Sequence, residues 1–205
     1  MKASLSLIVI TVEGIFEGEA AALNCLLEGG VAALHVRKPC ATEAEVRSLL
    51  EQIDKRFHDR IVLHDWFSLI ASFRLKGVHL NRRNPIRPQQ EVSSLSRSCH
   101  SLAELAYIGD FSYVFLSPIF DSISKKGYTQ AFAKEDLLSS KANGLINEKI
   151  VALGGINAAT IPLAASYGFG GVAVLGALWG NFSKSKNENA LMKRFDELLS
   201  IAQKQ

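Results

Sequence analysis

Apolar residues in this chain come in short runs. LSLIVITV (5–12), AALHVRK (32–38), RIVLHD (60–65), GVHLN (77–81), RSCH (97–100), YVFLSP (113–118), KIVALGG (149–155) and GVAVLGA (171–177) recur along its 205 residues. Continuous apolar runs of this length suit parallel strands covered on both faces. Helical patterns fill most of the gaps. EGEAAALNCLLEGG (17–30) ends in a glycine pair that suits a helix stop. TEAEVRSLLEQIDKRFHD (42–59) opens with Thr42 and Glu45 at capping-box spacing, and Val46, Leu49, Leu50, Ile53 and Phe57 follow at helical intervals. Shorter candidates are 66–77, 101–109, 134–146 and 157–170, and ENALMKRFDELLSIAQ (188–203) closes the chain. RRNPIRPQQEVSSLS (82–96) is broken by proline and predicts little helix.

Eight strand-helix alternations leave roughly 25 residues per unit, which fits a compact (β/α)₈ TIM barrel, one domain over residues 1–205. An open doubly wound sheet is the rival arrangement.

Composition narrows the partners. A net charge of +3 is too small to indicate nucleic acid or a membrane surface, and Arg82, Arg83 and Arg87 read as a solvated loop. Cys25, Cys40 and Cys99 are an odd number without metal-site spacing, which fits reduced thiols in a cytoplasmic protein. The apolar start is short and runs into Glu13 and Glu17, so it reads as a buried strand and not as a signal peptide. No apolar stretch is long enough to span a bilayer.

In a parallel barrel the chemistry gathers at the C-terminal ends of the strands. Here those ends carry His35, Arg37 and Lys38; His64 and Asp65; His79 and Asn81; Ser98 and His100; Ser117 to Lys126; Gly154 to Asn157; and Gly176. Gly154, Gly155 and Gly176 let backbone N–H groups approach an anion, or serve tight turns. The loop DSISKKG (121–127) offers hydroxyls at Ser122 and Ser124, cations at Lys125 and Lys126, and a hinge at Gly127. A surface loop is the competing reading. His35, His64, His79 and His100 do not alternate consistently with one face, so packing outranks a zinc centre. Asp65 is the best single Mg²⁺ ligand, with the N-cap of the following helix as its competing role.

At these residues the chain resembles the thiamine phosphate synthase family and its thiazole tautomerase relatives. LHVRKP, IVLHDWFSLIASFRLKGVHLN, RSCHSLAEL, SPIFDSISKK, VALGGIN and GVAVLGAL match family segments in order over nearly the whole length. The resemblance implies an enzyme joining hydroxymethylpyrimidine diphosphate to a thiazole phosphate, with release of pyrophosphate. It sets Arg37 and Lys125 against the diphosphate with Ser98 assisting. Ser122 and Ser124 stand at the thiazole phosphate with Gly155 and Gly176 completing the cup, and Asp65 stands at the position of a Mg²⁺ ligand. His35 and His64 fall where the family has glutamine and asparagine. Lys38 stands one place before the family's lysine, which is Pro39 here. These three join the expected substrate-binding set.

The family's second metal carboxylate falls on Asn84, which should weaken Mg²⁺, and Arg82 and Arg83 are nearby sources of replacement positive charge. A thiazole tautomerase-like isomerase and a non-catalytic relative that binds a phosphate ligand are the alternative functions. The expected partners are small phosphorylated molecules, and a homo-oligomer is compatible with this reading.

Overall fold

The computed structural model describes residues 4–121 and 132–205. Eight parallel strands close into a barrel in chain order: β1 (Ser6–Ile10), β2 (Ala33–Val36), β3 (Ile61–Leu63), β4 (Gly77–Leu80), β5 (Ser94–Cys99), β6 (Tyr113–Leu116), β7 (Ile150–Leu153) and β8 (Gly171–Val174). β8 pairs with β1 through Leu7–Val172 and Val9–Val174, so no edge is left open. The open doubly wound sheet is excluded.

The runs are apolar throughout because both faces are covered. Leu7, Val9, Leu34, Val36, Ile61, Leu63, Val114 and Leu116 belong to the layer shared with the helices, while Ile8, Ile10, Ala33, Val62, Phe115, Val151 and Ala173 pack inside the barrel. α1 (Glu19–Glu28) buries Ala22, Leu23, Leu26 and Leu27 against this wall. α2 (Glu43–Glu51) begins with the expected capping box between Thr42 and Glu45. α3 (Lys134–Ala142) and α4 (Ile161–Ser166) follow β6 and β7; α5 (Gly176–Trp179) and α6 (Phe182–Ser185) follow β8. α7 (Glu188–Gln203) lays Leu191, Phe195, Leu198 and Ala202 on the barrel, and the Leu5 N–H donates to the Ala202 carbonyl.

Several expected helices shrink. The pattern over 42–59 divides into α2 and a 3₁₀ segment, Lys55–Arg60. The helices expected after β3 and β5 are 3₁₀ turns, Phe67–Ala71 and Ala103–Tyr107. Residues 81–93 carry no helix, as Pro85 and Pro88 require. β5 begins at Ser94, earlier than its sequence suggests, because its inward positions are serines. Among the described residues no helix is long and apolar enough to cross a membrane.

Candidate active site

The strand ends that carry polar residues open on one mouth, and the structure sorts those residues sharply. Arg37 and Lys38 are neighbours in sequence but not in role. The Arg37 guanidinium stays partly exposed and donates to Glu13 Oε1 at 2.7 Å. Lys38 does not reach the mouth. Its ammonium is fully buried and donates to Glu19 Oε1 at 2.6 Å and to the carbonyls of Val12 and Gly14 at 2.9 and 2.8 Å. All three of its hydrogens are thereby committed, so the expected substrate cation is a staple between β2, the β1–α1 loop and α1. Burial pushes Lys38 down and Glu19 up from their ordinary values, against the pull of their mutual attraction.

Asp65 is not a helix cap. Trp66 occupies the position before the 3₁₀ turn, at φ 57°, and makes no side-chain cap. The indole N–H of Trp66 donates to the Ala41 carbonyl and ties the β3 loop to the β2 loop. The Asp65 carboxylate is gripped from the β4 loop: Arg83 donates from Nε and Nη2 to Oδ1 at 3.2 and 3.0 Å and from Nη2 to Oδ2 at 3.3 Å, while Asn84 Nδ2 donates to Oδ1 at 2.9 Å. Arg83 is therefore pinned to Asp65 while its side chain stays 42% exposed on the loop. Asn84 does fall beside Asp65, as the resemblance implies. Burial holds the His64 imidazole well below its ordinary value, with smaller pushes from His79, His35, Arg37 and Arg83.

The histidines correct another expectation. His35, His64 and His79 do share one face: ligand-capable atoms of all three lie within 4.8 Å of one another. They occupy the positions that alternate with the buried Val36, Leu63 and Val78, a register the sequence alone did not reveal. His35 Nδ1 lies 2.9 Å from His64 Nε2, and His35 Nε2 lies 2.6 Å from the Tyr113 hydroxyl. His79 lies 2.9 Å from both Ser96 Oγ and Ser98 Oγ, and its ring stacks on His64 at 4.2 Å. Burial drives His79 down to about 3 and holds His35 well below its ordinary value. Five of the six ring nitrogens are thus engaged, no carboxylate joins them among the described residues, and a dication would bring uncompensated charge into the barrel. The trio is neutral, hydrogen-bonded filling; His35 lies within the barrel, and Ser98 and His64 link this filling to the mouth. His100 stands apart on the outer rim, its Nδ1 3.1 Å from the Ser117 carbonyl.

Across the mouth, Gly154 and Gly155 have φ of 93° and 65°. A Cβ on Gly155 would stand 2.5 Å from the Asp121 carbonyl oxygen, and one on Gly154 would stand 2.8 Å from Pro118 Cα. These glycines are required by the close approach of the β6 loop. The N–H groups of Gly155 and Gly176 take part in no turn or cap hydrogen bond among the described residues. Ser122, Ser124, Lys125, Lys126 and Gly127 lie outside the described residues.

The fold, with Arg37 and Arg83 on one part of the mouth and the glycine ends of β7 and β8 on another, is a (β/α)₈ barrel. A profile of the thiamine monophosphate synthase family matches residues 7–178, and the chain belongs to that family. The chain is 29% identical over 165 residues to the thiamine-phosphate synthase of Yersinia pestis (strain Pestoides F), covering 75% of each. It superposes on the crystal structure of thiamine phosphate pyrophosphorylase from Bacteroides thetaiotaomicron with a TM-score of 0.88 and 36% identity, over 97% of this chain and 98% of that one. The thiamine phosphate pyrophosphorylase of Pyrococcus furiosus shares the fold at a TM-score of 0.69 and 21% identity, over 97% and 98% of the two chains.

Proposed function

We propose that this chain joins hydroxymethylpyrimidine diphosphate to a thiazole phosphate, yielding thiamine phosphate and pyrophosphate. The observation that carries the reading is Arg83, held by Asp65 at the mouth, together with the partly exposed Arg37 past the end of β2, in a barrel of this family. In the reaction the bond between the pyrimidine methylene carbon and the diphosphate oxygen breaks, and the electron pair leaves with pyrophosphate. The thiazole nitrogen then donates its lone pair to the methylene carbon and forms the new C–N bond. No general base is needed, so the principal demand is stabilisation of the leaving charge, which fixed cations meet. Arg37 faces the diphosphate. Ser98, held by His79, presents a hydroxyl beside it. The amides of Gly155 and Gly176 receive the thiazole phosphate. Lys125, Ser122 and Ser124 are assigned to the same two anions by resemblance.

The test is one assay with both phosphorylated precursors, run with and without Mg²⁺. The reading expects thiamine phosphate and pyrophosphate in equal amounts. Conversion of a thiazole isomer with no pyrimidine consumed would replace it with an isomerase. Binding of the precursors with no turnover would replace it with a phosphate-ligand binder.

A further inference from the structure

Mg²⁺ does not fit the residues that the resemblance assigns to it. A hard cation wants several oxygen ligands in near-octahedral array. Asp65 Oδ1 already accepts from Arg83 and from Asn84, and Oδ2 accepts from Arg83. Asn84 is turned the wrong way to help. Its Nδ2 lies 3.0 Å from the His64 carbonyl oxygen and 2.9 Å from Asp65 Oδ1, and both are acceptors. The amide nitrogen, and not the amide oxygen, therefore faces the carboxylate. The backbone keeps it there, because Asn81 Oδ1 accepts from the N–H groups of Arg83 and Asn84.

The local charge makes sense of the exchange. Two carboxylates with a divalent cation sum to zero, and so do one carboxylate and one guanidinium. The chain has lost one acid at Asn84 and holds one monovalent cation where a dication would sit. We infer that the Arg83 guanidinium, clamped by the Asp65 carboxylate that Asn84 also holds, takes the place of a divalent cation and binds the diphosphate directly, so that the site works without metal. The inference rests on the diphosphate-transfer reading above and adds to it how the leaving charge is met. Two features fit Arg83 to this task. Its Nη1 has no hydrogen-bond partner among the described residues, so part of its donor fork remains for phosphate oxygens. Its side chain is 42% exposed, against 12% for Asp65, so the carboxylate lies beneath and the guanidinium lies toward solvent.

The experiment uses the full chain and two probes, Mn²⁺ alone followed by electron paramagnetic resonance, and inorganic pyrophosphate followed by calorimetry in EDTA and in Mg²⁺. The wild type is expected to leave Mn²⁺ free and to bind pyrophosphate in EDTA. Arg83→Ala is expected to lose at least about tenfold of that affinity, and Arg83→Ala with Asn84→Asp to acquire a bound Mn²⁺. Arg83→Lys, which keeps the charge without the fork, should fall between. If the wild type sequesters Mn²⁺, or binds pyrophosphate only with a divalent cation, the inference is overturned while the diphosphate reading stands. If pyrophosphate fails to bind under either condition, both fall. The wild-type comparison decides even where a variant does not fold.

Discussion

Arg37 and Lys38 show how little a pair of adjacent cations reveals on its own. Past the end of β2 the two side chains part: one turns to the mouth and Glu13, the other inward to Glu19. What separates them is an acid at the first residue of α1, buried by the helix that follows β1, and no local spacing announces it. Arg83 was legible as a source of replacement charge but not in its direction, which depends on Asp65 across the β3–β4 gap. The two β2 residues should therefore fail differently. Lys38→Ala strands a buried carboxylate and should cost roughly 3–5 kcal/mol of stability, and Lys38→Met less. Arg37→Ala removes a partly exposed pair and should cost under about 1 kcal/mol while lowering kcat/KM about 100-fold. Urea denaturation and steady-state kinetics on the same preparations check both. Equal stability losses would put Arg37 among the structural residues.

At the scale of elements, the strands were legible because burial on two faces leaves an unbroken apolar run, and the capping box of α2 because its chemistry is local. β5 was read short, since Ser94, Ser96 and Ser98 leave its sequence polar, the last two bonded to His79 inside the barrel. The helices after β3 and β5 were overread: periodicity is present in WFSLIASF, but between β3 and β4 it forms only the 3₁₀ turn Phe67–Ala71. The β7 glycines were recognised as special, and the backbone of the β6 loop gives them a steric reason. Gly155→Ala should therefore destabilise the fold by about 1–3 kcal/mol, through its φ of 65° and the contact with Asp121. A melting temperature unchanged in Gly155→Ala would show that the two loops are not so closely packed.

The whole barrel is filled unevenly. β1, β7 and β8 contribute Ile8, Ile10, Val151 and Ala173 to its interior, whereas β2 to β6 add His35, His64, His79, Ser96 and Tyr113 to their apolar residues. Three neutral histidines in a sealed interior make the fold sensitive to acid. Each has a folded-state value below its unfolded value of about 6.5. The unfolded chain therefore binds more protons below that pH. Their contribution is complete above about pH 6.5 and is lost as pH falls, by about 1.4 kcal/mol per pH unit for each histidine. The urea midpoint should drop steeply between pH 6.5 and pH 5, and a flat midpoint across that window would mean that the trio is charged or open to water.

The central claim, that the cationic rim and the glycine ends of one mouth hold the two anions of a single reaction, is tested most directly by a crystal structure of the chain with thiamine phosphate and pyrophosphate. The account predicts pyrophosphate oxygens about 2.7–2.9 Å from the guanidinium nitrogens of Arg37 and Arg83, with the phosphate of the other product at the Gly155 and Gly176 amides. Products held elsewhere, such as in the groove formed by Asn24, Glu28, Gln52 and Arg56, with the mouth left to solvent, would contradict it.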